Sequence, residues 1–421
     1  MTYFIFGIYL LFFCWLTPRI PFIQKSGLKP SWLIALFILK ILAGIAYGVF
    51  YTSIPDYKVK ADTWKFFYDG CRETNFLFSD PLGYLSKTFE NPYQRDYRHF
   101  FSDVNSYWSD LKHIYMVKIV SVFNVFSGSR YYVNVIFYSF LTFFGPVALL
   151  RIMKDLYPEK LKLLTISIFL FPSFLFWSSG IHKDGIVFSL LTLAAYLFYF
   201  ALKNKKLGPG KLFQIAILLA FIFLVRNHVV LAAVPGFIAW WIAEKYCSKK
   251  WVAFLATTIF FTTLFFTTKY IHPKLDLPIS IVLRQKEFVK LGGSSFLPQR
   301  ELHAEFTSFL KNAPQALNHT LVRPYITEIL SPLYLISALE ILFIWLLVFF
   351  WFFRYTTSPY KDSVVVFLAL ISFTLLLLTG YIVPQLGAIV RYRSIFIPLL
   401  ITPIIATIEW PKFILRFFKY K

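Results

Sequence analysis

Long apolar segments constrain this chain more than any other feature of its sequence. They lie at 3–17, 31–51, 131–150, 161–178, 184–202, 212–225, 228–243, 251–268, 332–353, 363–382 and 394–410. A helix of about 20 residues crosses the hydrocarbon core of a bilayer. Inside lipid, the backbone must satisfy its own hydrogen bonds, which favours helices. The sequence therefore predicts an all-α, polytopic membrane helical bundle with about eleven transmembrane helices.

The basic residues indicate the orientation of these helices. The chain has a formal net charge of +22, a value that also suits nucleic-acid binding. However, Lys and Arg concentrate in alternate short loops, at 19–29, 151–162, 203–211, 245–250 and 354–361, and again in the C-terminal tail. Cytoplasmic loops carry such a surplus, whereas external loops do not. We therefore expect these loops and the C-terminus to be cytoplasmic, and no nucleic acid among the partners.

The opposite set of loops is then external, within a single integral membrane domain spanning 1–421. It includes a cap loop at 52–130 and a second long loop at 269–331. Residues 113–127 are apolar but short, which suits an interfacial or re-entrant helix better than another span. In the second loop, apolar side chains recur at helical spacing from Phe306 to Leu321, as in an amphipathic helix. That face suits either the membrane surface or the loop's own core.

Asp62 is the candidate catalytic residue. It follows the second apolar segment, so its carboxylate lies at the external membrane surface. There it could accept a proton from an acceptor hydroxyl. The same residue before Thr63 and Trp64 also suits the N-cap of a helix, and spacing alone favours the cap. Asp56 and Asp69 are neighbouring alternatives for the base.

A tight turn at 172–184 reads PSFLFWSSGIHKD. Lys183 offers a point charge for a phosphate, and His182 can move a proton or orient the ligand. Asp184 begins a helix, where negative charge is favourable. An ordinary interfacial turn has similar features.

Further candidate substrate-binding residues lie in external turns or inside a span. External turns do not need basic residues for orientation, and arginine forks match phosphate oxygens. These residues predict an anion site, although headgroup binding without chemistry is an alternative. A carboxylate inside a span is a functional candidate by default, but a structural ion pair is equally plausible. The residues are Arg226, His228, Arg323, Glu328, Glu340, Arg391 and Arg393.

With these residues in view, the chain resembles the polytopic GT-C glycosyltransferases, which use polyprenyl-phosphate sugars on the external face. Asp62 matches the acidic residue of their first large external loop. The turn at 172–184 resembles a Pro-Ser, Trp-Ser, Lys-Glu turn of related bacterial proteins in polysaccharide clusters. The segments 323–328 and 391–398 resemble their later motifs. The chain departs from the pattern in lacking paired acidic residues in the first loop, and in having Asp184 where Glu is usual.

The resemblance implies sugar transfer from a polyprenyl-phosphate-linked donor to a glycan or lipid-linked acceptor. It would occur at the periplasmic face of a bacterial inner membrane, in cell-surface glycan assembly. Two alternatives are an O-antigen-type polymerase or ligase using lipid-pyrophosphate glycans, and a flippase for lipid-linked oligosaccharides. No nucleotide-binding motif or zinc spacing is visible, so we predict no metal site and no cofactor, with a divalent metal ion as an alternative that no motif supports.

Overall fold

The structure, a computed structural model, describes residues 2–53, 61–88, 90, 107–293, 295–328, 331–356 and 358–411, apart from the side chains at 107–109 and 359. Its first nine α-helices are α1 (Thr2–Leu16), α2 (Pro21–Gln24), α3 (Pro30–Ser53), α4 (Asp62–Ser79), α5 (Pro81–Ser86), α6 (Tyr107–Ser127), α7 (Tyr131–Leu156), α8 (Leu161–Phe169) and α9 (Pro172–Ser179). The others are α10 (Lys183–Lys203), α11 (Pro209–Tyr246), α12 (Lys250–Ile271), α13 (Leu277–Leu291), α14 (Phe306–Leu321), α15 (Pro332–Arg354), α16 (Ser363–Ile382), α17 (Leu386–Ser394) and α18 (Ile397–Thr407).

Many of these helices are long and apolar enough to cross a membrane. Within the described residues, eight helices meet that test, namely α1, α3, α7, α10, α11, α12, α15 and α16. Two bent pairs raise the number to as many as ten. The α8–α9 pair bends by 60° and the α17–α18 pair by 57°. The predicted class, an all-helical membrane protein, is confirmed, whereas the count of about eleven spans stays a prediction.

Helix α11 reverses its direction at Arg226, where the backbone leaves the helical region (φ −150°, ψ 84°). Arg226 forms an ion pair with Asp184 at the start of α10. Trp240 instead packs on Phe198 near the end of α10, with ring centres 4.9 Å apart. Pro209 begins α11 a short turn after α10 ends, and the first half of α11 rises about 25 Å. The two halves of α11 therefore run in opposite directions, with Arg226 at their tip.

The first long loop folds as helices that pack over the bundle end where α7 and α10 begin. Trp64 of α4 stacks on Tyr131 of α7, with ring centres 4.0 Å apart. The Thr74 hydroxyl donates to the Ser121 carbonyl of α6 at 3.2 Å. Helix α6, which contains the apolar stretch 113–127, is not among the candidate spans. Residues 54–60, including Asp56, lie outside the described residues.

The amphipathic pattern of the second loop forms helix α14, as predicted. Phe309 packs against Tyr381 of α16 with ring centres 5.1 Å apart. Gly380 allows the backbone of α16 to approach Ala316 closely, because a Cβ at Gly380 would collide with the Ala316 carbonyl. Leu310 keeps 63% of its surface exposed. Phe309 thus packs α14 on α16, whereas Phe306, which is 53% exposed, and Leu310 leave part of the apolar face uncovered.

Candidate functional site

The short helix α9 is held at both ends by buried charges from neighbouring helices. At its N-terminus, Glu340 of α15 accepts a hydrogen bond from the Ser173 backbone N–H at 2.8 Å, and another from the Ser173 hydroxyl. At its C-terminus, Lys40 of α3 donates to the Ser178 carbonyl at 2.9 Å. The negative charge of Glu340 and the positive charge of Lys40 match the helix dipole, which is positive at the N-terminus and negative at the C-terminus. Glu340 therefore caps a helix and does not line an anion site.

The turn after α9 places His182 between two carboxylates. His182 is the N-cap of α10 and only 1% exposed. Its Nδ1 lies 2.7 Å from Asp184 Oδ2, and its Nε2 lies 3.0 Å from Asp62 Oδ2. The Tyr138 hydroxyl donates to the His182 carbonyl. The imidazole is thereby held on both nitrogens and at its backbone, so its orientation is restricted.

Asp62 is the first residue of α4, and its side chain points at this histidine. The N-cap of α4 is Ala61, with no side-chain capping bond, so the capping interpretation of Asp62 is wrong. The Asp62 side chain stays 49% exposed. Burial alone would raise the pKa of Asp62, but the hydrogen bond from His182 and the charges of His182 and Arg391 lower it well below its usual range. The carboxylate is therefore ionised at physiological pH.

Two arginines from distant segments converge on Asp184. The Asp184 side chain has no exposed surface, and it pairs with Arg226 and with Arg391 Nε, the latter at 3.0 Å. Arg391 Nη2 also reaches Asp62 Oδ2 at 3.0 Å. The Tyr392 ring lies beneath both guanidiniums, 4.9 Å from Arg226 and 5.5 Å from Arg391. We call Asp62, His182, Asp184, Arg226 and Arg391 the ion cluster.

Lys183 and His228 border the ion cluster. The Lys183 ammonium lies 5.5 Å from the centre of the Phe66 ring and forms no ion pair with a described residue. His228 is exposed beside the tip of α11, where its backbone N–H donates to Asn227 Oδ1 at 2.9 Å. Lys183 thus directly follows one member of the ion cluster in the chain, and His228 lies two residues after another, Arg226.

Arg393, in contrast, does not join the cluster. It is 2% exposed and donates to the Thr320 carbonyl at 3.2 Å and to the Ser337 hydroxyl at 2.8 Å. A third hydrogen bond goes to the carbonyl of Arg323. Residues two apart on a helix point to different sides. The expectation that Arg391 and Arg393 line one cavity is therefore wrong, since Arg393 ties α17 to the end of α14.

Arg323 and Glu328 lie on that other side of α17. Arg323 pairs with Glu328 at 2.9 Å. Arg323 also lines an open cavity of about 410 Å³ along α14, together with Lys311 and His319. Burial, followed by the charge of Arg323, lowers the pKa of His319 to about 4, so this histidine is neutral. This cavity does not contain the ion cluster, and Arg323 and Glu328 are therefore placed apart from the other candidates.

The structure adds charged residues that the sequence reasoning missed. Lys40 stands alone in an apolar segment, and a lysine inside a span is a signal that could have identified it. Lys112 of α6 and Arg284 of α13 carry no such signal. Burial lowers the pKa of Lys112 to about 8. The positive charges of Arg284, Lys183 and Arg226 lower the pKa of Lys112 in the same direction.

The described residues contain no group of three or more His, Cys, Asp or Glu side chains arranged to hold a metal ion. The absence of a metal or cofactor stays a prediction. Comparison with protein-family models, curated proteins and solved structures finds no match for this chain.

Proposed function

We propose that this protein is a membrane-embedded glycosyltransferase that moves a sugar from a polyprenyl-phosphate-linked donor to a glycan or lipid-linked acceptor. The observation that carries this proposal is the half-exposed Asp62 carboxylate beside the guanidinium of Arg391. A base and an anion-binding cation then lie next to each other at one end of an apolar helical bundle. The lipid tail stays in the bilayer while its phosphate reaches the arginines, whose forks match phosphate oxygens.

In the proposed reaction, the acceptor hydroxyl gives its proton to Asp62 while its oxygen bonds to the anomeric carbon of the donor sugar. The bond from that carbon to the phosphate oxygen breaks, and its electron pair leaves with the lipid phosphate. Arg226 and Arg391 stabilise the charge on the departing phosphate. A base opposite the leaving group inverts the anomeric centre, as in inverting glycoside chemistry. His182 acts as a positioning residue that holds Asp62.

The low pKa of Asp62 keeps the carboxylate ready to accept a proton but also makes it a weak base. Arg391 connects the base strength of Asp62 to substrate binding. A donor phosphate that takes the Nη2 hydrogen bond from Arg391 removes a positive charge from Asp62. The pKa of Asp62 then rises, and its strength as a base increases when the donor is bound.

The runner-up is an O-antigen-type polymerase or ligase that uses lipid-pyrophosphate glycans, with arginines rather than an acid carrying the reaction. Arg226 and Arg391 meeting on one buried carboxylate supports this alternative. In that mechanism Asp62 only holds Arg391 in place. The two proposals differ in what happens when the Asp62 charge is removed.

We also propose eleven spans, counting eight helices, one more for the second half of α11, and the two bent pairs. The basic loops then lie in the cytoplasm and the ion cluster at the external face. A bacterial inner membrane, with the site facing the periplasm, suits a polyprenyl-linked donor. The C-terminal tail at 412–421, which this proposal places in the cytoplasm, lies outside the described residues.

The decisive experiment measures sugar transfer by Asp62→Asn in nanodiscs, with a panel of polyprenyl-phosphate sugars as donors. Asparagine keeps the volume and an acceptor oxygen but cannot take the proton. Positioned proton removal contributes about a hundred- to ten-thousand-fold in rate, so turnover should fall by that factor. Donor binding should persist because Arg226 and Arg391 remain.

Asp69→Asn is the matched comparison, because Asp69 is the alternative base that the structure describes, lies on the same helix and also bonds a histidine, His113, at 2.8 Å. This variant should retain its activity. A loss of activity confined to Asp69→Asn would move the role of base from Asp62 to Asp69. Full activity of Asp62→Asn would remove the base from the mechanism and favour the arginine-driven alternative. Equal losses in both variants would indicate a general disturbance of α4.

A further inference from the structure

The open cavity along α14 is lined by cations and, among the described residues, by no carboxylate. The cations are Arg300, Lys311 and Arg323. Arg323 pairs with Glu328 at 2.9 Å, whereas Arg300 and Lys311 form no ion pair with a described residue. Three cations against the one carboxylate of Glu328 leave an excess of two positive charges, and protonation of the histidine in the lining would only add to it.

An adjoining cavity of about 320 Å³ shares Arg300 and Lys311 with the first. Its lining also includes Glu301 and Glu305. Glu301 pairs with Lys286 at 3.3 Å, and neither carboxylate pairs with the two shared cations. Even with Glu305 counted, the two cavities together therefore retain a net positive charge.

His319 adds a polar group that no described residue satisfies. It lines the first cavity and is only 2% exposed, and its Nδ1 has no hydrogen-bond partner within the described part of the chain. The Nε of Arg323 is in the same situation. Most buried polar groups in proteins are hydrogen-bonded, so a polar ligand in this cavity has partners to satisfy.

The end of α14 lies against α15, a helix long and apolar enough to cross a membrane. The Trp345 indole N–H of α15 donates to the Leu321 carbonyl at 2.9 Å, and Trp345 lies about 20 Å from the start of its helix. Arg323 lies at the level of Ser337, because Arg393 donates both to the Arg323 carbonyl and to the Ser337 hydroxyl. The cavity is therefore beside a candidate span, not beyond the end of one.

Exposed apolar side chains border the cavity. Phe306 and Leu310 of α14 are exposed, and so is Leu339 on the neighbouring α15. Leu310 directly precedes Lys311 and lies one helical turn before Pro314, which also lines the cavity. An apolar strip beside basic residues is typical of a helix in the membrane interface, where it is attracted to anionic lipid.

We infer that the cavity along α14 binds the headgroup of an anionic phospholipid. The phosphate contacts Arg300 and Lys311, and the acyl chains cover the exposed apolar side chains of α14 and α15. A guanidinium binds phosphate through its fork and an ammonium binds it as a point charge. A soluble phosphate or an acidic glycan would meet the same cations but would leave the apolar strip uncovered. This site lies apart from the ion cluster, and the inference does not depend on the proposed reaction.

The test measures binding of phosphatidylglycerol and phosphatidylcholine with identical acyl chains to the purified full-length protein, by native mass spectrometry. A basic residue near an anionic lipid surface contributes about fivefold in affinity, so two should favour phosphatidylglycerol by about twenty-five-fold. Arg300→Gln/Lys311→Gln should remove most of this preference while leaving phosphatidylcholine affinity within about twofold. Both residues are exposed, so the fold should persist. Arg300→Lys/Lys311→Arg, which keeps both charges, should keep the preference.

Lys269→Gln/Lys290→Gln is the matched control, because it removes the same charge from the same part of the chain but from residues outside the cavity lining. It should leave the preference unchanged. Equal affinity of the wild type for the two lipids would overturn the inference. An equal loss of preference in the control and in the cavity variant would also overturn it, since general surface charge would then be the cause.

Two soluble competitors distinguish the lipid from other anions. Inorganic phosphate and trigalacturonate, a small acidic glycan, should displace phosphatidylglycerol only at concentrations at least about a hundredfold higher than the lipid, because neither covers the apolar strip. Displacement by inorganic phosphate at the concentration of the lipid would assign the cavity to a free anion. The same result with trigalacturonate would assign it to an acidic glycan, and either result would overturn the lipid assignment.

Discussion

Replacing Asp184 by asparagine tests whether the ion cluster holds the helix ends together. Asp184 is fully buried, and its carboxylate meets Arg226, Arg391 and His182. Asparagine keeps the shape but removes the charge, which leaves Arg391 with Asp62 alone and Arg226 with no carboxylate partner among the described residues. Breaking a buried ion pair by removing one partner costs about 3–5 kcal/mol. We expect the variant to lose stability on that scale.

The assay is thermal unfolding of the purified protein in detergent or nanodiscs. Asp155→Asn is the matched control, because Asp155 pairs with Lys203 at 2.5 Å in a more exposed setting. Exposed pairs contribute about 0–1 kcal/mol, so this control should unfold close to the wild type. The double variant Asp184→Asn/Arg226→Met removes one charge of each sign and should recover part of the lost stability. Equal unfolding temperatures for Asp184→Asn and Asp155→Asn would refute the claim that the cluster is structurally required.

Three further predictions address other parts of the structure. Arg391→Lys should lower both the stability and the sugar-transfer activity of the protein. Two nitrogens of Arg391 bond two different carboxylates, and the single ammonium of lysine cannot make both bonds in the same geometry. Turnover at the wild-type rate in Arg391→Lys would contradict this prediction. Gly44→Ala would place a methyl group 2.6 Å from the Ser179 carbonyl oxygen, so unfolding measurements should show a loss of about 1–3 kcal/mol. A reporter fused after Lys205 should read cytoplasmic and one near Gly292 external; the same side for both would refute the proposed topology.

The helical class and the course of most spans could be predicted because they depend on local properties. Apolar length sets whether a segment is able to cross a bilayer. The direction of each span, which we expect from the charge of the loops, stays a prediction. Helix α14 was predicted for the same reason, since helical spacing is readable over a few turns. The reversal of α11 at Arg226 was also anticipated, as the sequence separates apolar segments 212–225 and 228–243 at that point.

The candidate site could be predicted only in part. Polar residues in apolar surroundings are conspicuous, so all five members of the ion cluster were named from the sequence. The pairing of these residues with one another could not be predicted from the sequence. Arg391 reaches Asp184 across 207 residues of chain, and Glu340 reaches Ser173 across 167. Such pairs depend on which helices become neighbours, which local patterns do not encode.

The sequence alone determined that this chain is a helical membrane protein with an unusual concentration of charge in a few interfacial turns. Only the tertiary structure decided how those charges are used. It placed Asp62 and Arg391 together, turned Arg393 toward α14, and assigned Lys40 and Glu340 to the ends of α9. The physical reason is that a charge in a low-dielectric bundle is stabilised by its nearest opposite charge or dipole. Helix packing, rather than position along the chain, selects that neighbour.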